Sequence, residues 1–297
     1  MRAVRTVAEL RDVLAPERRS GRRIGLVPTM GSFHEGHLSL MRRAREDCDV
    51  VVVSLFVNPA QFPGGGDLDA YPRDEPRDFA LAEGEGVDIL FAPPVEEVYP
   101  PGFHSVVRVR GLTEALCGDP RQRGAAHFDG VTTVVTKLFN MVEPEVAYFG
   151  QKDAQQALVV KRLVRDLDIP VQVEVCPTVR EPDGLAMSSR NAHLSEAERE
   201  RAAALSRALA AADEAVRGGE RRSVAVLEAA RAELRGAGVE LEYLELRSTS
   251  DLSPVERVNG STLLAVAARV GPARLIDNKV LGARAAYPAD PRRGDPR

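Results

Sequence analysis

The sequence lacks the features that define several classes of protein. None of its 297 residues is tryptophan. The three cysteines, Cys48, Cys117 and Cys176, are odd in number and widely spaced, which argues against a disulfide framework or a cysteine-rich metal site. No apolar run approaches the roughly 20 residues that cross a bilayer, and the first residues lack the apolar core of a signal peptide. These absences predict a cytoplasmic protein with reduced thiols and no membrane partner.

Neither sign of charge dominates, since the formal net charge is −4. We therefore expect no nucleic-acid partner, because the chain has no overall attraction to a polyanion. Lysine is scarce, with only Lys137, Lys152, Lys161 and Lys279 among the 40 basic residues. Where arginine is the default cation, a lysine inside a motif indicates a need for a compact point charge. This draws attention to Lys152.

The apolar runs predict the fold class. Residues 24–27 and 50–57 are almost wholly apolar, as expected of strands buried on both faces of a parallel sheet, and an amphipathic helical pattern lies between them. Further strands are expected at 87–91, 146–149 and 171–175, with helical patterns between them. We predict an α/β protein with a Rossmann-like parallel sheet.

The composition changes near residue 180, where a turn-rich stretch precedes helical patterns rich in Ala, Arg and Glu. Two strand-like segments follow, at 239–246 and 261–270. We therefore predict two domains, residues 1–178 and 179–282, the second being a small α+β domain. The Pro/Arg/Asp-rich tail, 283–297, is predicted to be disordered.

The sequence pattern also predicts individual helices, strands and loops. Residues 2–20 are predicted to form a helix, and the alternating stretch 104–110 an edge strand or hairpin arm. Residues 63–69 are predicted to be a glycine-rich loop that is either mobile or closes over a ligand. Helices are predicted over 131–142 and, capped by Ser195, over 195–216.

Two histidines, His34 and His37, follow the first buried strand at the start of a helix. A strand, a glycine-bearing turn and a helix N-terminus build an anion site, because the turn N–H groups and the helix dipole point positive charge at one spot. The i,i+3 spacing places both imidazoles on one helix face. Two alternatives stay open: structural histidines that cap the helix, and a zinc site, although the zinc-protease signature requires an i,i+4 pair.

Further polar residues follow other strands. Gly150-Gln151-Lys152-Asp153 opens a helix after the strand at 146–149, and Ser188, Ser189 and Arg190 are three donors in a row. Gln61 comes just after the strand at 50–57, and the carboxyl end of a parallel strand is where such sheets bind ligands. Together these motifs predict a site that holds a nucleoside triphosphate and neutralises its charge.

Characteristic strings occur in order along nearly the whole chain: Pro28-Thr29-Met30-Gly31, His34-Glu35-Gly36-His37, Phe56-Val57-Asn58-Pro59, Gln61-Phe62, Tyr71-Pro72-Arg73, Phe149-Gly150-Gln151-Lys152-Asp153, Gln155-Gln156, Pro177-Thr178-Val179-Arg180-Glu181, Gly184 to Asn191, Tyr243-Leu244-Glu245 and Arg274 to Asn278. By these strings the chain resembles the pantoate–beta-alanine ligases, a family of the nucleotidyltransferase superfamily with the His-x-x-His motif. The resemblance implies a first domain that is a nucleotidyltransferase domain binding ATP and pantoate, and a second that acts as a lid.

The resemblance also implies a two-step reaction. The carboxylate of pantoate attacks the α-phosphorus of Mg-ATP, which gives pantoyl adenylate and pyrophosphate. The amine of beta-alanine then attacks the adenylate, which gives pantothenate and AMP. The implied partners are pantoate, beta-alanine and ATP with Mg²⁺, whose protein ligands stay unassigned, and a second copy of the chain in a homodimer.

Roles carry over by motif. The implied catalytic residues are His37 as proton donor, His34 and Lys152. Gln61 and Gln156 are implied to bind pantoate, and Gln61 also beta-alanine. The implied ATP-binding residues are Met30, Gly31, Ser32, Phe33, His34, Glu35, Gly36, His37, Gly150, Gln151, Lys152, Asp153, Val179, Met187, Ser188, Ser189 and Arg190.

Some alternatives stay open. The chain is either such a ligase, another His-x-x-His nucleotidyltransferase, or a nucleotide-binding module without catalysis; the paired amides favour the first. The family's Arg-Pro-Gly-His-Phe string is altered here, so either Arg121 or Arg123, or neither, supplies its arginine before His127. Gln155 either supports Gln156 or binds ligand.

Overall fold

The computed structural model of the protein describes residues 1–62, 68 and 71–282. The chain divides into two compact units, one of residues 1–199 with 271–273, and one of residues 200–270 with the residues from 274 onward. Among the described residues, no helix is both long and apolar enough to span a membrane. The predicted loop at 63–69 and the predicted tail at 283–297 lie, apart from residue 68, outside the described residues.

The first unit is built on a six-stranded parallel sheet, which confirms the predicted α/β class. Its strands lie in the order β1-β4-β3-β2-β5-β6. In chain order they are β1 (Arg2–Val4), β2 (Ile24–Thr29), β3 (Val50–Leu55), β4 (Ile89–Phe91), β5 (Val146–Gly150) and β6 (Gln172–Cys176). β2 and β3 are the central pair and are almost fully buried, which is why they are apolar along their length.

Helices connect these strands, as a parallel sheet requires, and one more helix follows the last strand. They are α1 (Val7–Arg19), α2 (Glu35–Asp47), α3 (Glu75–Gly84), α4 (Val95–Val98), α5 (Ala125–Val142), α6 (Ala154–Asp166) and α7 (Glu196–Ala202). The core beside the central strands contains Val27, Met41 and Val51, which are fully buried.

The second unit has α8 (Ala204–Arg217), α9 (Ser223–Leu234) and a three-stranded sheet in the order β7-β8-β9. The strands are β7 (Glu240–Ser248), β8 (Thr262–Val270) and β9 (Ala273–Leu281), and β7 pairs antiparallel with β8.

The structure corrects the start of the chain and residues 104–110. Residues 2–20 form both β1 and α1, because Thr6 and Glu9 make a capping box that starts the helix only at Val7. Residues 104–110 are not a strand. The Val107 N–H donates to the Thr133 hydroxyl at 2.9 Å and the Val107 carbonyl accepts from Thr132 at 2.5 Å, so helix side chains take the place of a partner strand.

Two helix boundaries also differ from expectation. α5 begins at Ala125, so His127 to Gly130 are helical. The predicted helix over 195–216 is two helices, α7 and α8, with Ala203 between them; Ser195 does cap the first, since its hydroxyl accepts from the Glu198 N–H.

Candidate active site

A cavity opens at the carboxyl ends of β2 and β5. These strands are neighbours from which the sheet continues in opposite directions, toward β3 and β4 on one side and β6 on the other. Such a switch point is where α/β sheets bind ligands, because the loops that leave the two strands diverge there. The described residues that line the cavity all belong to the first unit.

Most of the residues singled out by motif line this cavity together. They are Met30, His34, Gly36, His37, Gln61, Gly150, Lys152, Asp153, Gln156, Val179, Met187, Ser188, Ser189 and Arg190. The Ser188–Arg190 loop falls within the predicted second domain, 179–282, but in the structure it belongs to the first compact unit, which continues to Arg199.

Five residues of the motifs are not among those lining the cavity: Gly31, Ser32, Phe33, Glu35 and Gln151. Phe33 is a core residue, 1% exposed, and Glu35 forms an ion pair with Arg42 on its own helix. A motif that is continuous in sequence therefore divides among the cavity, the protein interior and the protein surface.

The turn before the histidines is held by a buried carboxylate. Gly31 and Ser32 both have positive φ angles, 86° and 55°, which is costly for serine. Asp78 of α3 accepts from the N–H groups of Ser32 and Phe33, each at 2.7 Å, and its side chain is 1% exposed. These two hydrogen bonds hold the left-handed turn that brings the chain from β2 to the start of α2.

Both histidine side chains cap the start of α2 by accepting from backbone N–H groups. His34 Nδ1 accepts from the Gly36 N–H at 3.2 Å, and His37 Nδ1 accepts from the His34 N–H at 3.4 Å. An imidazole that accepts at Nδ1 while neutral carries its proton at Nε2. The capping role that the sequence left open is therefore real, and it orients both rings so that Nε2–H is the donor left for a ligand.

Burial and neighbouring charge keep both rings neutral. Desolvation and the nearby Lys152 ammonium lower the pKa of His34 to about 4. Desolvation, His34 and Lys152 lower the pKa of His37 to about 3. The ring centroids lie 4.1 Å apart, so protonating both would bring two like charges into close contact. In the ligand-free protein both rings are therefore uncharged, and their Nε2–H groups can donate to an anionic ligand.

Cationic groups from two other loops join the histidines. The Lys152 side chain is 19% exposed, and its Nζ lies 3.5 Å from the Asp153 carboxylate. The Ser188 hydroxyl accepts from the Arg190 N–H at 3.3 Å and caps the short 3₁₀ turn Ser189–His193. With Lys152 and Arg190, the lining carries two full positive charges beside two neutral donors.

Gln61 enters the cavity from the short 3₁₀ turn Pro59–Gln61, directly after β3. Its side-chain oxygen accepts from the Asn58 amide at 3.0 Å, and its backbone carbonyl lies 2.7 Å from His127 Nδ1. His127 therefore supports the Gln61 backbone from α5. Arg121 pairs with Asp119 with its side chain 86% exposed, and neither Arg121 nor Arg123 is among the lining residues.

The two neighbouring glutamines of α6 have different environments. Gln155 is 7% exposed, accepts from the Cys117 N–H at 3.0 Å and donates to the Leu112 and Ala115 carbonyls. Gln155 therefore faces the core rather than the cavity, and it anchors the segment before α5 rather than Gln156. Gln156 lines the cavity.

Apolar residues form a wall that sequence reasoning missed. It is made by Leu40, Phe56, Val131, Val134, Val135, Leu138 and Tyr148. The sequence predicted strands at 50–57 and 146–149 and a helix over 131–142, and only the tertiary structure shows that one part of each borders the cavity. Pro28, Thr29, Asn58, Tyr71, Phe149, Pro177 and Thr178 complete the lining.

Within the described part of the chain, no three His, Cys, Asp or Glu side chains come together as a metal site. Asp153 is the one acidic residue among the lining residues described.

Comparison with known proteins places these features in a family. The family model described as pantoate–beta-alanine ligase matches residues 2–280. A protein of Heliobacterium modesticaldum named pantothenate synthetase is 53% identical over 286 residues, which is 95% of this chain and 99% of that protein. One of Cereibacter sphaeroides with the same name is 54% identical over 276 residues, 93% of this chain and 98% of its own length.

Solved structures agree. The pantothenate synthetase of Thermus thermophilus is similar with a TM-score of 0.88 and 48% identity, covering 94% of this chain and 99% of that one. The pantoate–beta-alanine ligase of Francisella tularensis, complexed with beta-gamma ATP and beta-alanine, has a TM-score of 0.76 and 32% identity, covering 94% of this chain and 97% of that one.

Proposed function

The chain belongs to the pantoate–beta-alanine ligase family, and from that premise we propose that its cavity holds ATP and pantoate side by side. The protein is a ligase that joins pantoate to beta-alanine with ATP as substrate. The observation that carries the proposal is the division of the lining between charged donors and an apolar wall with two amides.

The triphosphate is assigned to the cationic side. Lys152, Arg190 and the Nε2–H groups of His34 and His37 supply donors from three separate loops, so the phosphates are held from several directions. Displacement at phosphorus requires mainly positioning and charge neutralisation from a protein. As the triphosphate arrives, its negative charge raises the pKa of both imidazoles and so favours their protonated form. A protonated His37 is a stronger hydrogen-bond donor than the neutral ring to the oxygen on which charge develops.

Pantoate is assigned to the apolar wall. Its two geminal methyl groups match side chains such as Val134 and Leu138, and Gln61 and Gln156 offer amide groups to its hydroxyls and carboxylate. We also assign Gln61 to beta-alanine, whose amine would approach from the side of this residue. This placement sets the pantoate carboxylate beside the α-phosphorus of ATP.

The chemistry then follows in two steps. A pantoate carboxylate oxygen attacks the α-phosphorus and the bond to the pyrophosphate oxygen breaks, which gives pantoyl adenylate. The beta-alanine nitrogen attacks the acyl carbon of this mixed anhydride, loses a proton, and AMP leaves. Exclusion of water favours the amine, because water would hydrolyse the intermediate.

The nucleotide is taken up as its magnesium complex. Mg²⁺ is usually bound by substrate phosphates with one or two carboxylates rather than by a cage of protein ligands. Asp153, partly exposed beside Lys152, is the residue in the lining that would hold it.

We further propose that the protein acts in the cytoplasm as a homodimer. The three cysteines are buried and none of them forms a disulfide, which supports a reducing compartment. The dimer follows from the family resemblance, and light scattering of the purified protein tests it.

We propose, as the sequence suggested, that residues from 179 to 282 act as a lid. Closure on nucleotide would protect this part of the chain from proteolysis.

Turnover with single omissions tests the function. With ATP, pantoate and beta-alanine together, we expect AMP, pyrophosphate and pantothenate in equal amounts. Omission of beta-alanine should reduce AMP release to a slow leak. A released product that retains the nucleotide, accumulates over many turnovers and is not consumed when beta-alanine is added would instead support another nucleotidyltransferase. No nucleotide turnover at all would support a silent binding module.

A further inference from the structure

The Asn58 side chain borders the cavity but has no hydrogen bond left for a ligand. Its Nδ2 donates to Gln61 Oε1 at 3.0 Å and to the Gly130 carbonyl at 3.1 Å. Its Oδ1 accepts from the Ala60 N–H at 3.3 Å and from the Tyr99 hydroxyl at 2.8 Å. Both donors and both acceptor sites of the amide are therefore used. Asn58 is 1% exposed.

These contacts determine which way the two amides point. A backbone N–H can only donate and a backbone carbonyl can only accept, so Ala60 and Gly130 assign the Oδ1 and Nδ2 atoms of Asn58. The second Nδ2 hydrogen requires an acceptor, which assigns Gln61 Oε1 to the Asn58 side. The Gln61 NH₂ group is consequently the end of the amide that is left for the cavity.

Tyr99 is the outer member of this chain of hydrogen bonds. It lies at the end of α4, outside the cavity lining, and its ring packs against Phe56 and Phe103 with centroids 6.2 and 5.2 Å away. Burial raises the pKa of Tyr99 to about 12, so its hydroxyl stays a donor at any working pH. Tyr99 thus favours the single Asn58 orientation in which Oδ1 accepts twice.

We propose that Tyr99 is a positioning residue for pantoate, which acts through Asn58 to keep the Gln61 NH₂ group directed at the substrate. The proposal rests on the assignment of pantoate to Gln61. Without the phenol, one acceptor site of a buried amide is unsatisfied, and the Gln61 amide loses part of its orientation. Loss of the hydroxyl should therefore weaken the binding of pantoate and leave the binding of ATP unchanged.

The test is Tyr99→Phe, which removes the hydroxyl and keeps the ring. We expect the KM for pantoate to rise about three- to tenfold, the range for one neutral hydrogen bond, with the KM for ATP within about twofold of wild type. Phe103→Leu is the matched control, since it disturbs the packing of the Tyr99 ring but leaves the hydroxyl. It should leave both KM values near wild type.

A double-mutant cycle separates positioning from packing. In a Gln61→Ala background, Tyr99→Phe should change kcat/KM for pantoate by less than twofold, because the group that it positions is gone. The same loss in both backgrounds, an equal rise in the KM for ATP, or no effect of Tyr99→Phe would overturn the proposal. If the wild-type protein does not consume pantoate at all, the proposed function fails instead.

Discussion

The close approach of α5 to the turn that carries Gln61 makes Gly130→Ala a sharp test of the site. An alanine Cβ at this position would lie 2.3 Å from the Ala60 carbonyl oxygen and 2.5 Å from the Gln61 nitrogen. Both are backbone atoms, so the turn or the helix must shift by about 1 Å to restore an ordinary contact. The cavity side chain of Gln61 would move with it.

The sign of the stability change decides between two effects. Alanine in place of glycine inside a helix stabilises by up to about 1 kcal/mol, whereas overpacking of this kind costs about 1–3 kcal/mol and sometimes more. We expect a net loss of stability in urea unfolding. We also expect kcat/KM for pantoate to fall at least tenfold, since small misplacements of positioning groups are costly.

Gly84→Ala is the control for this experiment. Gly84 is the last residue of α3, and nothing lies within 4 Å of the position of an added Cβ. This variant should be as stable as wild type or slightly more so, with unchanged kinetics. A Gly130→Ala protein that is more stable than wild type and binds pantoate normally would refute the packing argument.

Three more predictions follow from the site. His37→Ala and Lys152→Ala should each lower kcat about 100-fold in steady-state assays, the usual order for a lost electrostatic stabiliser. Because the pKa values of His34 and His37 in the folded protein, about 4 and about 3, lie below the ordinary 6.5, the unfolded chain binds more protons between about pH 6.5 and 3. Thermal unfolding without ligand should therefore show stability lost as the pH falls through this window. Gln155→Leu should lower stability by about 2–4 kcal/mol in urea unfolding, since two carbonyls and one N–H lose their partner, whereas Gln156→Leu should mainly raise the KM for pantoate.

Each of these has its own control. His104→Ala, at an exposed histidine outside the cavity lining, should be nearly as active as wild type, and near-normal rates in the His37 and Lys152 variants would remove those residues from the mechanism. A protein with His34→Gln and His37→Gln should lose less stability on acidification than wild type; an identical pH profile would contradict the neutral pair. Equal effects of the two glutamine variants on stability would contradict their different environments.

The sheet was predictable because its strands are buried on both faces. Residues 24–29 and 50–55 are buried at nearly every position and are mostly apolar, and such runs are visible in a sequence. The strand β1 was missed because three residues carry too little pattern. The alternation at 104–110 indicated a strand, but its hydrogen bonds go to threonines of α5, a tertiary pairing that periodicity does not reveal.

The start of α5 was missed for a related reason. Gly130 weakens the helical pattern, and the need for glycine there arises from the turn that packs against it. In the candidate site, the histidines, Lys152 and the serine loop were predicted because their chemistry stands out from its surroundings. The apolar wall was not, since a residue that packs in a core and one that lines a cavity look the same in sequence.

The central claim is that pantoate and ATP react directly in one cavity to form an acyl adenylate. Pantoate labelled with ¹⁸O in its carboxylate tests it most directly, with mass spectrometry of the AMP released during turnover with beta-alanine. We predict that one labelled oxygen appears in the phosphate of AMP, because the bond between phosphorus and the pantoate oxygen survives when the amine displaces it from carbon. AMP without label, formed together with pantothenate, would contradict the account.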